Sequence, residues 1–238
     1  MKNQIQVVIL AGGLGTRLGD MTKTLPKPMI EVEGKPFLEI LLEYLKSQGF
    51  KRFLIILGYL PEYIPAYFGD GSKFGLEISY SGDEENLKLG TGGALKRAES
   101  KLDDEFMLLF GDTLLPIDYA DFWDKFKEDG GVGSIVAYDN NEDTDVLNNL
   151  NLADDGKVLA YVKNSQKQMA YVDSGALCFK REVLDLIEVG VEVSLEEGIY
   201  PKLLERAELY GYITDKKFYD IGTPGRLEAF KLYLDDNR

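Results

Sequence analysis

The stretch Leu10-Ala11-Gly12-Gly13-Leu14-Gly15-Thr16-Arg17-Leu18 carries the strongest chemical signal in the chain. Glycines lack a Cβ, so backbone N–H groups can close around an anion. Arg17 adds a planar fork of donors suited to phosphate oxygens. Downstream, Leu25-Pro26-Lys27-Pro28-Met29 sets a lysine between prolines. Each proline fixes its own φ and restricts the residue before it to extended geometry, so Lys27 is expected on a stiff, extended backbone as a second phosphate contact. Two aspartates stand at the expected ends of strands: Asp112 in Gly111-Asp112, and Asp220 in Tyr219-Asp220-Ile221-Gly222-Thr223-Pro224. In open α/β sheets ligands collect beyond the carboxyl ends of strands. Two carboxylates brought together there would hold one hard cation such as Mg2+.

Each feature taken alone also has an ordinary reading. Glycines make tight turns beside solvated arginines, lysines in loops are solvated, and strand-end aspartates make turns. A dinucleotide-binding loop is a further rival, but Gly13 to Leu18 reads G-x-G-x-x-L and lacks the third glycine of that fingerprint. No G-K-[ST] follows, so it is not a P-loop.

Composition narrows the chemistry. The chain has 238 residues, one cysteine and no histidine. Without histidine there is no Ser-His-Asp or Cys-His mechanism and no histidine-ligated zinc or haem. Carboxylates, Lys, Arg, hydroxyls and backbone groups remain, the toolkit of magnesium-assisted phosphate chemistry. A formal net charge of -14 disfavours nucleic acid and anionic membrane surfaces as partners. Cys178, in Ala176-Leu177-Cys178-Phe179, has no partner for an internal disulfide and reads as a small core residue. No signal peptide precedes the first apolar run, and no apolar stretch is long enough to cross a bilayer, so a cytoplasmic protein is expected.

These side chains need elements to position them. Ile5 to Leu10, Phe53 to Leu57, Ile78 to Tyr80, Phe106 to Phe110 and Gly133 to Tyr138 read as strands. Helices are expected over Phe37 to Gln48, Thr91 to Ser100 and Tyr119 to Lys127. The alternation predicts an α/β fold: a three-layer, Rossmann-like, mixed and mostly parallel sheet. After about Asn140 the rhythm changes. Leu150 to Leu152 and Lys157 to Val162 flank Ala153-Asp154-Asp155-Gly156, a hairpin signature, and strands follow at Ala170 to Val172 and Gly175 to Phe179. This region, about 140–180, is expected to be a small antiparallel insertion covering the site. Short helices near Arg181 to Glu188 and Leu195 to Glu205, strands at Leu209 to Ile213 and Lys217 to Ile221, and a final helix from Pro224 with Thr223 as its cap complete one expected domain, 1–238.

With L-A-G-G-x-G-T-R-L, P-K-P-M, G-D and D-I-G-T-P on the page, the chain resembles the sugar 1-phosphate nucleotidyltransferases, which make nucleotide sugars on a GT-A-like Rossmann fold. The resemblance runs from Ile5 to about Leu234. It implies that Leu10, Ala11, Gly12, Gly13, Gly15 and Thr16 hold the nucleotide, that Arg17 binds the triphosphate and that Lys27 contacts phosphate at the reacting centre. It implies Asp112 and Asp220 as Mg2+ ligands. Gly90, Thr91 and Gly92, in a second glycine-rich turn, would form a wall for the nucleoside. Family members often carry E-P-L before G-T-G-G. Here Leu87-Lys88-Leu89 stands there, with Glu84 or Glu85 as substitutes for the acidic base contact. The sugar side would comprise Gly111, Lys163, Asp173 and Glu196; Asp173 stands where the family usually has Asn.

The implied reaction takes a nucleoside triphosphate and a sugar 1-phosphate and yields a nucleotide sugar and pyrophosphate. Gly34-Lys35-Pro36-Phe37-Leu38-Glu39 and Leu209-Tyr210-Gly211-Tyr212 look most like the heptose 1-phosphate guanylyltransferase branch, with GTP and a heptose or mannose 1-phosphate as substrates. Thymidylyl- or uridylyltransferases stay open. So does a silent nucleotide-sugar-binding regulatory protein, although Arg17, Lys27 and both aspartates are all retained.

Overall fold

The computed structural model describes residues 2–13, 15–82, 88–141, 146–163 and 168–237. In chain order the elements are β1 (Gln6–Ala11), β2 (Glu31–Val32), β3 (Lys35–Pro36), α1 (Phe37–Ser47), β4 (Arg52–Leu57), α2 (Tyr63–Phe68) and β5 (Glu77–Ser81). Then come α3 (Gly90–Arg97), β6 (Glu105–Phe110), β7 (Thr113–Leu114), α4 (Tyr119–Asp129), β8 (Gly133–Tyr138), β9 (Leu150–Leu152) and β10 (Val158–Tyr161). The last are β11 (Val172–Lys180), α5 (Tyr200–Glu205), β12 (Leu209–Thr214), β13 (Tyr219–Asp220) and α6 (Pro224–Asp236). The fold is α/β, with one mixed sheet of seven strands in the order β12-β8-β11-β6-β1-β4-β5. Three further strand pairs are small and antiparallel: β9 with β10, β7 with β13, and β2 with β3.

The chain divides into two compact units. The first comprises Met1–Asn86, Leu109–Leu114 and Tyr219–Arg238. Every residue of β1 is buried, which explains the apolar run Val7 to Ala11 that follows Gln6. It pairs in parallel with β4, Gln6 opposite Arg52, and β4 pairs in parallel with β5. Helix α1 buries Phe37, Leu38, Leu41, Leu42 and Leu45. The Phe37 ring meets Phe230 of α6 at 5.0 Å between centroids. Helix α6 starts as the sequence requires: Thr223 caps it, its hydroxyl accepting from the Arg226 N–H at 3.3 Å, and Pro224 follows.

The second unit comprises Leu87–Leu108 and Leu115–Phe218. Strand β8, wholly buried, pairs in parallel with β12 and antiparallel with β11. Helix α4 is capped by Asp118, whose carboxylate accepts from the Ala120 N–H at 2.8 Å, and it buries Phe122 and Phe126. The expected hairpin is β9–β10. The two strands expected at Ala170 to Val172 and Gly175 to Phe179 are one, β11. Its pairing to β8 shifts register between Asp173 and Leu177, and Gly175 lies there at φ +79°. A bulge of this kind bends a strand and re-aims its side chains without ending it. Cys178 is buried, as expected of a core residue, and burial pushes its thiol pKa up. Among the described residues no helix is long and apolar enough to cross a membrane.

Candidate active site

In the first unit, β1 delivers the chain into the glycine loop. Gly15 needs its residue type twice over: φ is +63°, and a Cβ would lie 2.8 Å from Thr22 Cγ2 and 3.2 Å from Lys27 Cβ. Gly12 lies against Gly58, where a Cβ on Gly58 would come within 2.5 Å of the Gly12 Cα. Gly13 faces open space. Glycine is thus required at Gly15 and, against the Gly12 backbone, at Gly58, while a Cβ on Gly12 itself would sit 3.4 Å from the Gly58 Cα, an ordinary contact. Thr16 and Arg17 open a 3-10 turn, Thr16–Thr22, and both are exposed.

Lys27 departs from the expected extended run. It opens a 3-10 turn, Lys27–Met29, in which the N–H groups of Met29 and Ile30 reach back to the carbonyls of Pro26 and Lys27 at 2.8 and 3.1 Å. Those two hydrogen bonds outweigh the steric preference that Pro28 places on Lys27. The turn buries the lysine to 6% exposure. Its ammonium donates to Asp112 Oδ2.

The two aspartates meet through the short β7–β13 pair, in which Asp220 lies opposite Thr113. The Ile221 N–H donates to the Asp112 carbonyl at 3.1 Å. Asp112 Oδ1 accepts from Thr113 Oγ1 at 3.1 Å. Asp220 Oδ1 accepts from the Gly222 N–H at 2.7 Å, and its Oδ2 accepts from Arg226 at 3.0 Å. Gly222 is the point of convergence. A Cβ built there would lie 2.6 Å from Asp220 Oδ1, 3.2 Å from Arg17 Nη2 and 3.4 Å from Lys27 Nζ. The structure therefore gathers Arg17, Lys27, Asp112 and Asp220 around one glycine.

Arg226 is the member of this cluster that the sequence reading missed. It stands in the first turn of α6, where a cation opposes the helix dipole. That misplaced charge was the available signal, and its partner is Asp220. Among the described residues no group of three or more carboxylate or thiolate side chains gathers to hold a metal. The donor set is instead a pair of carboxylates with cations beside them. This suits a hard ion that takes one or two protein carboxylates and fills its shell with phosphate oxygens and water, as Mg2+ does.

The second unit holds the other expected residues in two places. Gly90 has φ +67°, and a Cβ there would fall 2.5 Å from the Val193 carbonyl oxygen. The Gly92 N–H donates to that same carbonyl at 2.8 Å, and Thr91 Oγ1 accepts from the Leu195 N–H at 2.9 Å. These three residues seat the chain around Val193 to Leu195. Leu87, Glu84 and Glu85, named for the base side, lie outside the described residues.

Lys163, Asp173 and Glu196 come together. Lys163 follows β10 and donates to Glu196 Oε2, a hydrogen bond that raises the lysine pKa. Glu196 stands in a π turn, Leu195–Ile199. Asp173 sits at the β11 bulge, with Oδ1 accepting from the Gly175 N–H at 2.9 Å. Tyr161 of β10 and Tyr200 of α5 complete the cluster, their rings edge to face at 5.0 Å. Tyr161 is the last residue of β10, and Lys163 lies in the turn beyond it, so no strand periodicity links the two. Gly111, the remaining expected residue, packs in the first unit, where a Cβ would lie 3.1 Å from Ile9 Cγ2 and from the Leu10 carbonyl.

An open α/β sheet whose first strand runs into a glycine loop thus brings two cations, Arg17 and Lys27, and two carboxylates, Asp112 and Asp220, around Gly222, a set of groups suited to phosphate oxygens and a hard cation. Residues 6–236 match the nucleotidyl transferase family, and the chain belongs to it. It is 34% identical to D-glycero-alpha-D-manno-heptose 1-phosphate guanylyltransferase of Campylobacter jejuni, over 92% of this chain and 96% of that one. It is 33% identical to UTP–glucose-1-phosphate uridylyltransferase of a Synechocystis strain, over 92% of this chain; it spans only 60% of that relative's length. The solved structure of HddC from Yersinia pseudotuberculosis complexed with GMP-PN superposes with a TM-score of 0.82 at 28% identity, covering 97% of this chain and 99% of that one.

Proposed function

We propose that the chain transfers a nucleoside monophosphate from a nucleoside triphosphate to a sugar 1-phosphate, releasing pyrophosphate, with Mg2+ as cofactor in the cytoplasm. The observation that carries this is the convergence of Arg17 and Lys27 with Asp112 and Asp220 at Gly222. In the reaction the sugar phosphate oxygen attacks the α-phosphorus in line and pyrophosphate departs. A phosphate monoester has its second pKa near about 6 and is largely dianionic at neutral pH, so no general base is needed. This suits a chain without histidine. The difficulty is bringing two anions together. Arg17 offers a bidentate fork to the triphosphate, and Lys27, held by Asp112, presents a buried positive charge at a fixed point. The backbone of Leu10, Ala11, Gly12, Gly13, Gly15 and Thr16 would cradle the nucleotide. Asp112 and Asp220 would hold the Mg2+, which when bound supplies charge neutralisation and alignment of phosphate oxygens.

GTP with a heptose or mannose 1-phosphate is the favoured pair, in keeping with the Campylobacter relative over nearly its full length and the GMP-PN complex of HddC. Uridylyl transfer is the second reading, supported by the similarity to the Synechocystis enzyme. The test is pyrophosphate release with Mg2+, running the five common triphosphates against hexose and heptose 1-phosphates. Release with one preferred pair, abolished by EDTA, is the expected result. Nucleotide binding without release on any pair would favour a silent regulatory protein.

Arg226→Gln is expected to lower the rate about tenfold, the lower end of the about 1.5–3 kcal/mol that a hydrogen bond to a charged group contributes. The change should appear in kcat more than in either KM, because Arg226 holds Asp220 rather than a substrate. An unchanged kcat would mean that the Gly222 N–H alone keeps Asp220 in place.

A further inference from the structure

The π turn that carries Glu196 is fixed from outside its own sequence. Leu195 and Ile199 anchor it, both fully buried, and Glu196 lies between those anchors with its side chain 25% exposed. The first amides of a helical turn have no partner inside it. A local Ser, Thr, Asp or Asn ordinarily supplies the acceptor. Ser194 stands at that position, yet its side chain makes no capping hydrogen bond. The acceptor comes from the first turn of α3: Thr91 Oγ1, 104 residues away in sequence, takes the Leu195 N–H at 2.9 Å. The backbone ties the same two segments together. The Val193 N–H donates to the Leu89 carbonyl at 2.9 Å, and the Val193 carbonyl accepts from the Gly92 N–H at 2.8 Å. Val193 fits because glycines make room for it. A Cβ on Gly90 would lie 2.5 Å from its carbonyl oxygen, one on Gly92 3.1 Å from its Cγ1, and one on Gly198, inside the π turn, 2.2 Å from its Cγ2. Glu196 is one residue past the capped amide, and it accepts from the Lys163 ammonium. A chain of contacts therefore runs from Thr91 through Leu195 and Glu196 to Lys163. π turns are rare and are frequent at functional sites.

We infer that Thr91 is a positioning residue for the sugar 1-phosphate: its hydroxyl caps the π turn, sets the rotation of Glu196 and, through Glu196, places Lys163. The cap rests on geometry alone; the ligand rests on the function proposed above. This role is distinct from that of a wall for the nucleoside. A wall needs the shape of residue 91, whereas a cap needs its oxygen. Valine keeps the shape and offers no acceptor, so the Leu195 N–H loses its partner. Serine keeps the oxygen and loses only the methyl group. The two substitutions separate the roles.

Thr91→Val and Thr91→Ser in the full-length protein provide the test. In ligand-free protein the Leu195 amide should exchange slowly with solvent in the wild type and in Thr91→Ser, and about tenfold faster in Thr91→Val. An amide that exchanges freely in the wild type, or at one rate in all three, overturns the inference. The wild-type measurement decides even if Thr91→Val fails to fold. In kinetics, Thr91→Val should raise the sugar 1-phosphate KM about tenfold and leave the nucleotide KM within about twofold of wild type. Thr91→Ser should return the sugar 1-phosphate KM to near its wild-type value. A nucleotide KM that rises as much as the sugar 1-phosphate KM, or a serine variant as poor as the valine one, overturns the inference. Combination checks the path through Glu196. Glu196→Gln alone should also raise the sugar 1-phosphate KM, and adding Thr91→Val should raise it no further, because both disturb one group. Losses that add in full would mean that Thr91 does not act through Glu196. No turnover by the wild type on any sugar 1-phosphate would overturn the reading of the reaction, and with it the ligand that Thr91 serves, while amide exchange would still decide whether Thr91 caps the turn.

Discussion

Asp112→Asn is expected to cut pyrophosphate release by at least about 100-fold while the protein stays folded. Asparagine keeps the shape of the side chain and one acceptor oxygen, so the hydrogen bonds from Lys27 and Thr113 have a partner of the right size. What it removes is charge, and charge has two uses here. The first is local. Lys27 has a side chain only 8% exposed, and Asp112 is its ion-pair partner. Loss of the counter-charge leaves that ammonium free to drift from its set position. Removing the charge from one hydrogen bond of this kind should cost stability about 1–3 kcal/mol, visible as a lower melting temperature but not as unfolding. The second use is chemical: with one carboxylate gone, the pair that would hold a divalent cation becomes a single ligand. Initial rates at saturating substrate, alongside circular dichroism melts, separate the two. A variant that melts lower yet turns over within threefold of wild type would remove Asp112 from the reaction and leave it a purely structural partner of Lys27.

The parts legible in the sequence were those in which a single physical cause governs a long run of residues. β1 and β8 are buried along their whole length, so their apolar runs have sharp ends, and α1 buries a regular stripe. β7 and β13 are two residues each and carry no periodicity, yet they are the pair that joins the two aspartates. The β11 bulge was read as a break because a register shift leaves the same local signature as a turn. In the site, Arg17, Lys27, Asp112 and Asp220 were readable because each sits in a motif with a local backbone reason. Arg226 was not. Its role comes from its partner Asp220, 6 residues away in sequence, which only the folded β13–α6 turn brings to it. At Gly90 and Gly92 the structure adds a packing reason for small residues that the motif alone does not give, the close approach of Val193.

Gly222→Ala is the sharper test of how closely the four groups are assembled. The backbone at Gly222 is not in the left-handed region, so an alanine incurs no conformational penalty there. The added methyl would instead lie 2.6 Å from Asp220 Oδ1, well inside van der Waals contact. The carboxylate cannot yield freely, because Oδ1 is held by the Gly222 N–H and Oδ2 by Arg226. The methyl would also crowd Arg17 Nη2 at 3.2 Å and Lys27 Nζ at 3.4 Å. The expected outcome is a folded protein with a melting temperature near that of wild type and a kcat lower by about 100-fold, the scale of loss that a shift of about 1 Å in a catalytic group produces. The loss should mirror that of an Asp220 substitution and should not deepen when the two are combined, since both remove the same positioned carboxylate. A Gly222→Ala enzyme of normal rate would mean that Asp220 reaches its working position by swinging away from Gly222. The hydrogen bond that holds it there would then belong to the resting state and be broken in every turnover.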